Sequence, residues 1–362
     1  MSVSSRGANG AADLLVNETN PLNVERPFSS VDGFVTPNES FYVRCHFQVP
    51  QIAREDWRVQ VAGDVEEPFD IGYDDMREME SRTISATLEC AGNNRRFLEP
   101  KVKGVQWGLG AVGNASWRGV PLATLLARAK PKSGAIEAIL EGADEGPLEE
   151  RWAPPGNTRF ARSLPLAKAQ EDVLLAYEMN GEELSDAHGF PLRAIVPGWY
   201  AMASVKWLRR IVITYRPFDG YYQTLDYAYW ERVNGLARRV PLREMQVKAQ
   251  ISQPENGEHV RIDTTIRVHG AAWGAGHKIA KVEFSSDGGE SWREARLIGE
   301  GMPNAWQLWE YDWRTPSTPQ RATLRVRATD SSGQTQPTQH DSDRGGYMIN
   351  QIVPIDVEVV EG

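Results

Sequence analysis

Residues 86–96 carry the types best able to do chemistry in this 362-residue chain. A small, apolar, β-prone run delivers Cys90 to its end, and Gly92-Asn93-Asn94 then turn the chain into the adjacent pair Arg95 and Arg96. A thiolate is a soft metal ligand and a potential nucleophile, and guanidinium charge beside it favours the ionised form. Arginine also grips an oxyanion in a fixed, two-pronged geometry. The local reading is a soft ligand next to an anion clamp. It stands against the ordinary fate of a lone cysteine, an inert place in the core.

Other polar residues need elements to position them. Residues 41–50 are aromatic and β-branched and predict a strand, preceded by a Pro-Asn turn. Side chains alternate along a strand, so Arg44 and His46 share one face and Cys45 takes the other, which makes Cys45 the poorer ligand. Residues 73–79 predict a short acidic helix, followed by the strand into Cys90. Past the cysteine turn, residues 102–122 hold Trp107 among several glycines, which permit close backbone approach to a large ligand. Pro121 suits the start of a helix over 122–129. Residues 138–144 predict a strand ending in a turn at Gly142-Ala143-Asp144. Residues 186–207 form a Pro/Gly-pinned frame from which His188, Arg193 and Lys206 supply donors for a buried phosphate or similar anion. Residues 221–230 are dense in tyrosine, and a buried phenol can donate to an oxyanion, but four tyrosines within nine residues leave the choice among them open.

Bulk properties bound the rest. The length points to two domains. A composition of 41% hydrophobic and 25% charged residues is that of a globular chain, and no run approaches the roughly 18 apolar residues of a membrane span. The net charge of −9 argues against nucleic-acid binding and repels anions at long range, so an anion site must come from clustered arginines. With only Cys45 and Cys90, neither a disulfide framework nor a four-cysteine zinc site is available. A single bridge between them would consume the ligand. Residues 1–20 read as a flexible lead-in without the apolar core of a signal peptide. The expected compartment is therefore cytoplasmic, or periplasmic if a leader has been removed. From about residue 245 the pattern becomes short alternating strands, with a hairpin signal at Asp287-Gly288-Gly289, and reads as an immunoglobulin-like β-sandwich.

The segments Cys90-Ala91-Gly92-Asn93-Asn94-Arg95-Arg96 and His188 to Lys206 resemble the sulfite oxidase family, whose molybdenum is held by a pterin dithiolene and one protein cysteine. The resemblance runs from about residue 25 to 355 in consistent order. It implies an α+β fold, with a mixed α/β molybdopterin-binding domain over 21–242 and an immunoglobulin-like domain over 243–362 used mainly for dimer contacts. It makes Cys90 the molybdenum ligand and places Arg44, Arg96, Trp107, Tyr227 and Arg344 around the substrate. His46, Asp144, His188, Arg193, Ser204, Val205 and Lys206 would join Cys90 in holding the cofactor. The implied reaction is oxidation of sulfite, a small anion, to sulfate. Electrons would pass singly to an external acceptor such as a c-type cytochrome or oxygen, and the enzyme would be a homodimer. The family also uses this scaffold to reduce nitrate or sulfoxides. Members often carry Gly-Ala-Arg where this chain has Ala201-Met202-Ala203, so one expected guanidinium is absent.

Overall fold

The computed structural model describes residues 14–150 and 153–361. Strand Arg82–Glu89 pairs antiparallel along its length with Val112–Pro121, which in turn pairs with Leu174–Met179. The last four residues of the first strand, Ala86 to Glu89, are all buried rather than alternating, because the sheet is covered on both faces there. A second five-stranded sheet runs in the order Phe69–Gly72, Arg58–Gly63, Leu208–Thr214, Glu137–Pro147, Asn157–Pro165. It is mixed, since Leu208–Thr214 is parallel to Arg58–Gly63 and antiparallel to Glu137–Pro147.

Helix Leu122–Ala129 falls where the sequence predicts it. Pro121 precedes its first turn, and Lys130 ends it in the left-handed region at φ 52°. Leu122, Leu125, Leu126 and Ala129 recur at helical spacing and are fully buried against the sheet. Truncating Leu126 to alanine there would cost about 2–5 kcal/mol.

The C-terminal part is a two-sheet sandwich. One sheet orders Lys248–Gln253, Thr265–Trp273, Gln307–Arg314 and Arg296–Ile298; the other orders His259–Arg261, Ile355–Val360, Gln320–Asp330, Ile279–Ser285 and Arg293–Glu294. Val268, Val282, Phe284, Trp309, Leu324 and Val357 fill the space between them. The Asp287-Gly288-Gly289 signal is the turn between Ile279–Ser285 and Arg293–Glu294, with φ of 72° and 97° at the two glycines.

Three local expectations are corrected. Within the anticipated lead-in, Leu15–Thr19 is a strand paired with Leu22–Glu25; residues 1–13 lie outside the described residues. The buried carboxylate of Glu25 anchors this corner by accepting from Asn17 Nδ2 and from the Gly108 and Gly110 amides. In 41–50 only Val43–Arg44 is strand, because the Asn23 side chain takes the Cys45 amide at 3.0 Å and ends the ladder. The strand at 138–144 does not end at Asp144. It runs over Glu137–Pro147 with a register shift between Glu141 and Glu145, where the Ala143 amide donates to Trp207 O.

Candidate active site

The strand Arg82–Glu89 brings Cys90 to the edge of two cavities. Immediately beyond it the chain tightens: the Asn93 amide donates to Cys90 O at 2.9 Å, and Asn94 adopts φ 76°. Gly92 leaves room for the Arg95 guanidinium, which folds back over it and which a Cβ there would displace.

The deeper cavity is the less open of the two. His46, Cys90, Asp144, His188, Arg193, Ser204, Val205 and Lys206, every residue expected on the cofactor side, line it. The outer cavity is open to solvent and lined by Arg44, His46, Cys90, Arg95, Trp107, Tyr227 and Tyr347 among others. Arg44, His46, Cys90 and Tyr227 line both. The thiol therefore sits at a junction between a deeper chamber and a more open one.

Among the described residues, the chamber's cations lack anionic partners. Arg193 donates to His188 O and Ser204 O, at 2.9 and 3.4 Å, and its Nε is left without a partner there. Lys206 donates to Ala187 O at 2.8 Å and approaches Cys45 Sγ at 3.4 Å. Arg44 donates to Asn23 Oδ1 and Cys45 O. Burial pushes the Arg193 pKa down to about 10, which leaves it charged at neutral pH, and also lowers that of Lys206. Burial, with Arg193 and Lys206, presses His188 down to about 3, and burial with Arg44 and Lys206 lowers His46 well below its usual range. Asp144, an acid that lines the chamber, is itself pushed up to about 6 by burial, with Lys206 pulling the other way. Buried cations without counter-ions call for an anion.

The donor set fits molybdopterin. Among the described residues no group of three or more His, Cys, Asp or Glu side chains can hold a metal ion, so a metal bound at Cys90 must bring ligands of its own. A pterin dithiolene does so, and its phosphate would meet the unpaired donors of Arg193 and Lys206. Burial raises the Cys90 pKa while Arg44 and Arg95 pull it down. The guanidinium pull expected from the sequence is present, from Arg44 and Arg95, and burial outweighs it.

On the outer side, Trp107 is fully buried with its indole N–H unpartnered among the described residues. The Tyr227 hydroxyl lies 2.7 Å from His46 Nε2. Two expected members are elsewhere. Arg96 is half-exposed and bonds to Gln106 O and Asn17 Oδ1; the three-residue turn Arg95–Phe97 aims Arg95 inward instead. Arg344 faces Asp341 and Asn350 and lines neither cavity, whereas Tyr347 from the same segment does. Sequence reasoning also missed Arg162, fully buried and donating to Tyr222 O, Tyr227 O and Leu242 O, which clamps the turn Tyr222–Asp226 beneath Tyr227. Arg162 is one of two arginines in the strand Asn157–Pro165, and nothing local in the sequence set it apart from Arg159.

Both halves of the chain match families. Residues 46–222 match the oxidoreductase molybdopterin binding domain, and residues 239–359 the Mo-co oxidoreductase dimerisation domain. The chain is 34% identical to mitochondrial sulfite oxidase of Drosophila melanogaster, over 94% of this chain and 62% of that protein. It is 35% identical to sulfite oxidase of Gallus gallus, over 82% of this chain and 67% of that one. An NADH nitrate reductase of Solanum lycopersicum is 33% identical over 88% of this chain, which spans 38% of that enzyme. Among solved structures, the sulfane dehydrogenase SoxCD of Paracoccus pantotrophus superposes with a TM-score of 0.80 at 27% identity, covering 97% of this chain and 90% of that one. This chain thus spans less than two thirds of the fly enzyme it matches. Identity of this extent, running through both domains, makes the chain a member of the sulfite oxidase family and a molybdenum-cofactor oxidoreductase.

Proposed function

We propose that the protein oxidises sulfite to sulfate, with Cys90 as the protein ligand to molybdenum. The observation that carries this reading is the position of Cys90 at the junction of a cation-rich chamber and an open cavity that presents Arg44, Arg95 and Trp107. The overall change is SO₃²⁻ + H₂O → SO₄²⁻ + 2H⁺ + 2e⁻. The molybdenum cofactor, when bound, supplies oxygen-atom transfer and two-electron storage.

The chain's own residues bind and orient. His188, Arg193 and Lys206 hold the anionic end of the cofactor, with Ser204, Val205 and Asp144 shaping the chamber around it. Arg44 and Arg95 offset the hydration that sulfite loses on entry, and the Trp107 N–H adds a directional donor. Burial keeps the Tyr227 phenol protonated and His46 neutral, so the proton they share can turn toward an oxyanion at the Tyr227 oxygen. Electrons leave singly to an external acceptor, a c-type cytochrome or oxygen, from a homodimer formed through the sandwich domain.

A reductive reading, on nitrate or a sulfoxide, is favoured by the similarity to nitrate reductases and by Ala203, a buried small residue where an arginine is often found. Steady-state assays of molybdenum-loaded protein separate the two. Sulfite turnover with ferricyanide or cytochrome c is expected. No sulfite turnover in fully loaded protein, together with nitrate or sulfoxide reduction by a reduced viologen dye, would replace the first reading with the second.

A further inference from the structure

The residue before the cysteine is a fully buried glutamate. Glu89 Oε1 accepts from Lys248 Nζ at 2.7 Å and from Asn93 Nδ2 at 3.1 Å, and Oε2 accepts from Trp273 Nε1 at 2.9 Å. Side-chain exposure is 1% for Lys248 and 2% for Glu89, so solvent screening is minimal. Lys248 and Trp273 are directly opposed partners on neighbouring strands of the sandwich sheet, which puts both side chains on one face. The sandwich thus presents a matched pair of donors to a carboxylate contributed by the other domain. The same domain also grips the loop past Cys90: the Met348 amide donates to Ala91 O at 2.9 Å, and Gly346 O accepts from Arg95 Nε at 3.0 Å.

We propose that Lys248 and Trp273 of the sandwich domain are positioning residues for Cys90, acting through Glu89, and that the Glu89–Lys248 ion pair balances charge directly behind the metal ligand. Neighbouring residues on a strand face opposite ways, so the pair lies across the backbone from the thiol rather than in either cavity. It touches neither substrate nor cofactor. A wholly buried ion pair is a poor source of net stability, because desolvation offsets its Coulombic gain. Its placement one residue from the ligand provides a different use. Asn93 couples the pair to the loop's shape. Its Nδ2 donates to Glu89 while its Oδ1 accepts the Ala111 amide, and the Ala111 carbonyl in turn takes the Cys90 amide. The sandwich is then part of the active site's support as well as a dimerisation module, which extends the expectation drawn from sequence.

This inference rests on Cys90 being the molybdenum ligand, and the test separates the two. The variants are Glu89→Gln, Lys248→Met, the double variant and Lys248→Arg, each prepared as holoenzyme with molybdenum content measured. The readout is the molybdenum midpoint potential from an EPR-monitored redox titration at one pH. Removing the carboxylate leaves a bare ammonium that favours the reduced centre, so Glu89→Gln should raise the potential. Lys248→Met leaves a bare carboxylate and should lower it. Each shift is expected to be up to about tenfold in the one-electron equilibrium, or ~59 mV. The double variant and Lys248→Arg should return close to the parent. A kcat loss of about tenfold or more in the single variants, with KM for sulfite within about twofold, should accompany the shifts. A merely structural pair would move stability and leave the potential alone. Shifts of the same sign in both single variants, or none in folded and loaded protein, overturn the proposal. Should a single variant fail to fold, the charge-balanced double variant decides: a potential displaced as far as that of the surviving single variant overturns it too. An unchanged EPR signal in Cys90→Ser would instead refute the ligand assignment itself.

Discussion

Tyr227 and His46 form a 2.7 Å hydrogen bond between the phenol oxygen and imidazole Nε2, at the boundary shared by the two cavities. The pair comes from segments 181 residues apart, and Phe160 stacks on the imidazole at 4.4 Å to hold its plane. Because burial, Arg44 and Lys206 keep His46 neutral, the bond is one between uncharged groups whose proton can be redirected.

Tyr227→Phe removes that hydroxyl and leaves the ring packing in place. We expect kcat/KM for sulfite to fall about 10- to 100-fold, equivalent to about 1.4–2.8 kcal/mol, with the unfolding temperature little changed. Steady-state kinetics beside a thermal melt checks this. An unaffected kcat/KM would remove Tyr227 from the site.

Arg44→Gln and Arg95→Gln each take a guanidinium from the outer cavity and should raise the sulfite KM by about tenfold or more, with a smaller effect on kcat. Arg96→Gln is expected to change KM by less than about twofold, because that side chain is half-exposed and bonds away from the cavity. Equal effects from Arg95 and Arg96 would contradict the inward and outward assignments.

Cys90→Ser should lower sulfite turnover by more than about a hundredfold, because a hard alkoxide replaces a soft thiolate. Cys45, even more fully buried, lines neither cavity. Cys45→Ala should retain turnover within about threefold while costing about 1–2 kcal/mol in stability. Molybdenum content and denaturant melts on both variants distinguish ligand from core residue.

Asp144 carries a pH signature. Its folded pKa, pushed up to about 6 by burial, exceeds the ordinary value of 3.8. The folded state therefore binds this proton more tightly than the unfolded chain does. The contribution to stability is fully present below about pH 3.8 and is lost as pH rises through about 6. In cofactor-free protein, Asp144→Asn should stabilise by up to about 3 kcal/mol at about pH 7.5 and give no gain near pH ~4. Melts across that range test it; a pH-independent gain would show that the carboxyl is not the source.

Much of this protein was legible along the chain because the signals are local. The strand into Cys90, the helix Leu122–Ala129 and the Asp287-Gly288-Gly289 turn follow from side-chain periodicity, proline placement and glycine's conformational range. The long motif from His188 to Lys206 likewise carried its chamber residues intact, since a Pro/Gly-pinned segment determines its own path. What tertiary structure decided is direction and partnership. Adjacent Arg95 and Arg96 are chemically identical, and only the left-handed Asn94 and the turn after it send one inward and the other to solvent. Arg344 lost its expected place to Tyr347 for the same kind of reason, its guanidinium held by Asp341 and Asn350 beside it. Glu89 reads as an ordinary polar strand residue until Lys248, 159 residues later, is folded against it. Local propensity is written in neighbours, whereas a buried charge acquires its meaning from whatever the fold brings to meet it.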